Sequence, residues 1–91
     1  MHLILDIGNT NTKLAVFEAN DLKALELVEG VPDARALNGV VQRYPEVQAA
    51  ILSSVVTQVD GVREYLQRFD PWVELRPGLP LPIQNAYDTP E

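Results

Sequence analysis

The eight residues 6–13, Asp-Ile-Gly-Asn-Thr-Asn-Thr-Lys, constrain the fold of this chain more than any other stretch. An apolar segment, residues 3–5, precedes them and a second one, residues 14–17, follows them, which predicts two strands joined by a polar turn. Asparagine, aspartate and glycine dominate tight hairpin turns, and Gly8 and Asn9 can take positive φ. Consecutive backbone N–H groups in such a turn can form a nest that binds anions.

The chemistry of this turn predicts a phosphate site. Asp6 can hold Mg²⁺ directly or through water, because such sites use one or two carboxylates and substrate phosphates complete the shell. Gly8 would let a phosphate approach the backbone without a Cβ in the way. The other polar side chains of the turn are neutral or cationic donors for phosphate oxygens: Asn9, Thr10, Asn11, Thr12 and Lys13. The competing interpretation is an ordinary polar hairpin, in which Asp6 caps the turn and the lysine is salt-bridged.

The middle of the chain predicts a third strand, a helix and a buried strand. Residues 22–28 are predicted as a strand, with a helix as the alternative because Leu, Ala, Glu and Lys favour helix. Asp33 is a plausible N-cap, and Pro45 stops the helix that follows it. The predicted apolar stripe of this helix is Ala34, Leu37, Val41 and Tyr44. Residues 47–56 are almost continuously apolar, as expected for a parallel strand covered on both faces.

The last third of the chain predicts a helix, a short strand and an extended tail. Thr57 and Asp60 resemble a capping box. The helix stripe that follows is Val59, Val62, Leu66 and Phe69. Pro71 ends this helix, and Trp72–Leu75 is a short fifth strand. Pro77, Pro80 and Pro82 then predict an extended segment, and by this pattern alone residues 77–91 are a linker.

The β-β-β-α-β-α-β order predicts an α/β fold with a mixed sheet and helices packed on it.

A length of 91 residues allows one small domain, and a net charge of −6 argues against nucleic-acid or anionic-membrane partners. The chain has no cysteine, no signal-peptide pattern and no membrane-length apolar run, so we expect a soluble cytoplasmic protein. His2 is the single histidine, so triad chemistry is not supported.

Three segments resemble one enzyme family, the type III pantothenate kinases, which belong to the acetate kinase, sugar kinase, Hsp70 and actin superfamily. Residues 6–13, D-I-G-N-T-N-T-K, resemble the first phosphate motif of the family. Residues 53–56, S-S-V-V, resemble its segment at the end of a core strand. Residues 85–91, N-A-Y-D-T-P-E, resemble the stretch that leads into its G-x-D-R motif. The three segments occur in the order that the family has.

The resemblance implies a ribonuclease-H-like half-domain over residues 1–76, with residues 77–91 leading toward the substrate site and a second domain. It implies phosphorylation of pantothenate by ATP with Mg²⁺ at Asp6, a monovalent cation (K⁺ or NH₄⁺) and a homodimer. It places the general base beyond Glu91, so no catalytic residue is expected within the chain. Asn85 and Tyr87 would bind pantothenate. Alternatives are another kinase or ATPase of the superfamily, or a non-catalytic accessory factor of transcription.

Two serines of the second matching segment are further candidates. Ser53 and Ser54 follow a predicted core strand and can donate hydrogen bonds to phosphate or ribose. They can equally cap the segment that leads to the second helix, and the sequence does not choose between the two roles.

Overall fold

The computed structural model describes residues 1–75, and these residues form one mixed sheet with two helices. The elements in chain order are β1 (His2–Ile7), β2 (Asn11–Glu18), β3 (Asp21–Glu29), α1 (Ala34–Arg43), β4 (Ala49–Ser54), α2 (Asp60–Leu66) and β5 (Trp72–Leu75). The predicted α/β class, the mixed sheet and the element order are confirmed, including β3 as a strand. The domain boundary predicted at residue 76 stays a prediction, and residues 77–91 lie outside the described part.

The sheet has the strand order β3-β2-β1-β4-β5, so β1 lies at its centre. β1 pairs antiparallel with β2 and parallel with β4, and β4 pairs parallel with β5. Parallel strands end at the same edge of a sheet, so the carboxyl ends of β1, β4 and β5 lie together beside the β1–β2 turn. Open α/β sheets bind ligands at this carboxyl edge.

Both helices pack on one face of the sheet, which we call the helix face. Alternate residues of β1, Leu3, Leu5 and Ile7, meet Leu37 of α1 and Leu66 of α2 there, in the larger of two apolar clusters. The second face carries a smaller cluster built from Ile4, Ala15 and Phe17, with Ile51 and Leu75 packed against it. β4 is shorter than predicted, but it contributes apolar residues to both faces, as expected for a strand inside a sheet.

The start of α1 confirms its predicted cap, while its buried stripe differs from the prediction. Asp33 Oδ1 accepts a hydrogen bond from the Ala36 N–H at 2.9 Å. Ala34 is exposed, and Val40 rather than Val41 is buried together with Leu37. The prediction counted apolar residues along the helix. The burial depends on how α1 lies on the sheet, which turns the Leu37 and Val40 side of the helix inward.

The predicted capping box of α2 is wrong. Val59 occupies the N-cap position and no side chain caps the helix there. The Thr57 carbonyl instead accepts hydrogen bonds from the Val59 N–H at 3.1 Å and from Arg63 Nη1 at 3.3 Å. The predicted stripe of α2 is buried, with Tyr65 added to it. The helix ends at Leu66, well before Pro71. Neither helix in residues 1–75 is long and apolar enough to cross a membrane.

Candidate functional site

The polar turn between β1 and β2 closes through a single backbone contact. Residues 8–10 connect the two strands, and the Gly8 N–H donates to the Asn11 carbonyl at 2.9 Å. Gly8 and Asn9 can adopt positive φ, but this turn does not use it, because in residues 1–75 only Ala19 and Gly30 have positive φ. Gly8 is suited to this position for another reason. A Cβ there would stand 3.2 Å from the Asn11 carbonyl oxygen, so the close approach of the two strands favours glycine.

Three polar residues form one row across the carboxyl edge, which we call the Asp6 row. Asp6 of β1 lies directly opposite Lys13 of β2 and directly opposite Ser53 of β4. Residues directly opposite one another on neighbouring strands share a face of the sheet, with Cβ atoms about 5 Å apart. The row therefore lies on the second face, beyond Ile4, as the alternation of β1 predicts. Ser53 is buried, and Asp6 and Lys13 are partly exposed.

The next row along the sheet, on the helix face, contains Thr12, Ile7 and Ser54, and its polar groups are engaged within the fold. Thr12 is completely buried and its hydroxyl donates to the Gly30 carbonyl at 2.6 Å. We therefore assign the Thr12 hydroxyl, predicted as a phosphate donor, to the fold. Ser54 Oγ donates to the Val56 carbonyl at 2.7 Å and accepts from the Val56 N–H at 2.9 Å. Ser54 thus has the capping role that the sequence left open.

The remaining side chains of the turn are at the surface. Asn9, Thr10 and Asn11 are exposed at the carboxyl edge, beside the Asp6 row. Their amides and hydroxyl are neutral donors of the kind that contact phosphate oxygens. The backbone of Thr10 is held in place, because its carbonyl accepts a hydrogen bond from the Gly30 N–H at 2.8 Å. Gly30 was not a candidate from the sequence, where it marks only the end of a strand.

Asp6 fits a magnesium ion that shares its shell with substrate. In residues 1–75 no three or more histidine or acidic side chains come together as a metal cage. Magnesium does not need such a cage, since it usually keeps several waters and uses one or two carboxylates plus substrate phosphates. A carboxylate at the end of a central strand, next to a turn rich in donors, matches that pattern. Asn85 and Tyr87 lie outside the described residues.

Sequence comparison assigns the family. The family model described as type III pantothenate kinase matches residues 2–91. The chain belongs to the type III pantothenate kinase family. It is 36% identical over 94 aligned positions to a type III pantothenate kinase from Phocaeicola vulgatus, and 35% identical over 96 to one from Bacteroides fragilis. A third relative of the same name, from Christiangramia forsetii, is 29% identical over 90 positions. The chain spans 37% of the length of these relatives.

A solved structure shares the fold. The crystal structure of a protein assigned as an N-acetylglucosamine kinase, from Porphyromonas gingivalis, matches with a TM-score of 0.62 and 15% sequence identity. The match covers 85% of this chain and 34% of that one. At this identity the likeness shows the fold alone, and it agrees with the mixed sheet and two helices described above.

Proposed function

We propose that this chain is the phosphate-binding N-terminal part of an enzyme that phosphorylates pantothenate with ATP, the first step toward coenzyme A. Family membership supports the choice of reaction. The observation that carries the proposal is the Asp6 row. A carboxylate, an amine and a hydroxyl are in register at the carboxyl edge of the sheet, beside a donor-rich turn.

Each group of the row and the turn has a proposed part in holding ATP. Asp6 would hold Mg²⁺ directly or through water, and the ion would supply positive charge that offsets the charge of the ATP phosphates. Lys13 places a point charge against phosphate oxygens. The exposed Asn9, Thr10 and Asn11 and the backbone N–H groups of the turn donate hydrogen bonds to the same oxygens. Ser53 is a further hydroxyl donor toward phosphate or ribose.

The proposed reaction depends mostly on positioning and charge neutralisation. The primary hydroxyl oxygen of pantothenate forms a bond to the γ-phosphorus as the bond from that phosphorus to the β–γ bridging oxygen breaks, and ADP leaves. The hydroxyl proton passes to a general base, which the sequence resemblance assigns to a position beyond Glu91. Asn85 and Tyr87 are proposed to line the pantothenate pocket. The residues of this chain orient the phosphates so that the transfer is in line.

The finer properties of the enzyme are also proposals that rest on the resemblance. They are use of a monovalent cation, K⁺ or NH₄⁺, assembly as a homodimer, and a cytoplasmic location. A pantothenate kinase needs a small-molecule acceptor and ATP, and neither nucleic acid nor a membrane is a required partner.

Acceptor specificity tests the proposal. The complete gene product is incubated with Mg²⁺–ATP and potassium, once with pantothenate and once with N-acetylglucosamine, and the phosphorylated products are identified by mass spectrometry. We expect phosphopantothenate and no sugar phosphate. Phosphorylation of the sugar in place of pantothenate would favour the other kinases of the superfamily. A complete gene product that phosphorylates neither acceptor would favour the accessory-factor alternative.

A further inference from the structure

The turn that follows β3 is bonded to the phosphate-binding turn through both polar backbone groups of one glycine. The Gly30 N–H donates to the Thr10 carbonyl at 2.8 Å, and the Gly30 carbonyl accepts from Thr12 Oγ1 at 2.6 Å. Asn11, between these two threonines, is paired with Glu29 of β3. Three consecutive residues of the hairpin are therefore anchored to two consecutive residues at the end of β3.

This anchoring fixes a peptide plane in the proposed site. In a planar trans peptide the carbonyl and the following N–H point in opposite directions. The Thr10 carbonyl is directed at Gly30, so the Asn11 N–H points away from it. The Asn11 carbonyl in turn accepts from the Gly8 N–H, which closes the turn. The position of Gly30 thus sets the direction in which the N–H groups of the turn point. That direction decides where an anion can bind to them.

The backbone of Gly30 makes the double contact possible. Its φ is +72°, in the region where glycine has no steric penalty and other residues are strained. No heavy atom lies within 4 Å of the point where a Cβ would be. A substitution at this position therefore acts through the backbone angle and not through a clash. This makes Gly30→Ala a clean probe of the contact geometry.

The hydroxyl of Thr12 supplies the second half of the contact from the interior. Thr12 is completely buried, while Gly30, whose carbonyl accepts its hydrogen bond, is half-buried. Removal of the hydroxyl would therefore cost about the net value of one hydrogen bond. Valine has nearly the shape of threonine and lacks the hydroxyl, whereas serine keeps the hydroxyl and loses a methyl group.

We propose that Gly30 and Thr12 are positioning residues that hold the phosphate-binding turn in its ATP-binding shape. This inference rests on the proposed function and adds two residues that touch no substrate. Loss of either contact loosens the turn and weakens the hold on the ATP phosphates, while the acceptor pocket is left as it is. One lost hydrogen bond of this kind corresponds to about a threefold to tenfold rise in the KM for ATP.

The test compares five variants of the complete gene product. Thr12→Val and Gly30→Ala remove the contacts, Thr12→Ser retains the hydroxyl, and the matched controls are Thr57→Val and Gly39→Ala. We expect a raised ATP KM in the first two variants, a pantothenate KM within about twofold of the original protein, and near-normal values for Thr12→Ser. Hydrogen exchange should be faster at the amides of residues 8–13 in Thr12→Val and Gly30→Ala and unchanged in the two controls.

Three results would overturn the inference: an unchanged ATP KM in folded Thr12→Val, equal rises in both KM values, or the same defect in Thr12→Ser. If Thr12→Val does not fold by circular dichroism, Gly30→Ala decides in the same way. If the gene product phosphorylates no pantothenate, the proposed function fails separately. The positioning role is then judged from the amide shifts of residues 8–13 on titration with Mg²⁺–ATP, which should need more nucleotide in Thr12→Val and Gly30→Ala. Equal titration curves would refute it.

Discussion

Asp6 and Lys13 lie directly opposite each other on the antiparallel strands β1 and β2, and they are the last pair before the turn in which both residues are charged. A cross-strand pair of opposite charges contributes only about 0.2–1 kcal/mol to the stability of a sheet. A phosphate site at the same place would make both residues far more important for activity than for folding. The two interpretations of this pair can therefore be separated by measuring stability and activity on the same variants.

The first prediction concerns the charge of Asp6. Asp6→Asn keeps the shape of the side chain and removes the charge that would hold Mg²⁺, so kcat/KM of the complete enzyme should fall about a hundredfold or more. Its Tm should change by only a few degrees, because the cross-strand pair contributes little. Asp21→Asn, at an exposed position that begins β3, is the matched control and should keep full activity. Near-normal turnover of Asp6→Asn at ordinary Mg²⁺ would exclude the metal role.

The second prediction concerns the amine of Lys13. Lys13→Ala should raise the KM for ATP about tenfold and leave that for pantothenate nearly unchanged, since the lost charge is proposed to face phosphate. The control is Lys23→Ala. Lys23 is an exposed residue of β3, and its Nζ lies 3.6 Å from Oε1 of Glu18 on β2. Steady-state kinetics with each substrate varied in turn gives both constants. A larger rise in the pantothenate KM would place Lys13 at the acceptor.

The sequence predicted the parts of this fold that depend on local pattern. Residues two apart on a strand share a face, which accounts for Asp6 on the face of Ile4, and the apolar segments predicted all five strands in the described residues. The site roles of Asp6 and Lys13 stay predictions. The contacts of Gly30 could not be read from sequence, because they join residues 18 to 20 positions apart and leave no local signal.

Two local predictions failed because tertiary structure overrode them. Thr57 fits the capping-box spacing, but α2 starts at Asp60 and the Thr57 carbonyl contacts Arg63 instead. The predicted stripe of α1 included Ala34 and Val41, yet Ala34 is exposed and Val40 is buried in place of Val41. In both places the sequence pattern allowed more than one geometry, and contacts with distant residues selected the one that formed.

A third prediction follows from the ion pair that joins α2 to β5. Arg63 Nε and Nη2 donate to Glu74 Oε1 and Oε2, each at 2.9 Å. The hydrogen bond from Arg63 lowers the pKa of Glu74 and the same bond raises the pKa of Arg63. A carboxyl whose pKa is lower in the folded state stabilises the fold above its unfolded pKa of about 4.3, and that stability is lost as pH falls through the folded value. Arg63 stays charged throughout this range.

Glu74→Gln should therefore lower the Tm at pH 7 by about 1–3 °C, a small effect because the pair is partly exposed and screened. The difference from the original protein should shrink as the pH falls below 4. Glu64→Gln, an exposed position on the same helix as Arg63, is the control and should show no such difference. Thermal unfolding followed by circular dichroism from pH 3 to 7 makes the comparison. A deficit that grows toward low pH would contradict the assigned sign.

The fourth prediction compares two glycines. Gly39 lies in the middle of α1, and no heavy atom lies within 4 Å of the point that an added Cβ would occupy, so Gly39→Ala should stabilise the protein by about 0.5–1 kcal/mol. Gly8→Ala should destabilise it, because its Cβ would stand 3.2 Å from the Asn11 carbonyl oxygen. Urea unfolding of both variants gives the free energies. If both substitutions changed the free energy of unfolding equally, the turn would be able to accommodate a Cβ at position 8 without a loss of stability.

The fifth prediction has two parts, and both concern residues 1–91 expressed alone. Phosphoryl transfer needs clamped phosphates, a held adenine, and an acceptor hydroxyl aligned with a base. The described residues offer the proposed phosphate-binding turn, and the chain spans 37% of the length of its relatives. We therefore expect no steady formation of phosphopantothenate by this polypeptide with Mg²⁺–ATP and potassium. Its length is verified by mass spectrometry before the assay. Steady turnover would show that a working base lies within residues 1–91.

The same polypeptide should self-associate through the second face of the sheet. Leu25, Leu27 and Val73 lie on that face by their strand register and are 36%, 69% and 48% exposed. Exposed apolar surface of this kind drives association. Sedimentation velocity should show concentration-dependent oligomers, and Leu27→Lys should reduce them because a charge is costly to bury. Val55→Lys places the same new charge at an exposed apolar residue outside the sheet and serves as the control. Exposed apolar patches normally associate at about 100 μM. A chain that stays strictly monomeric at that concentration would show that the second face does not drive self-association.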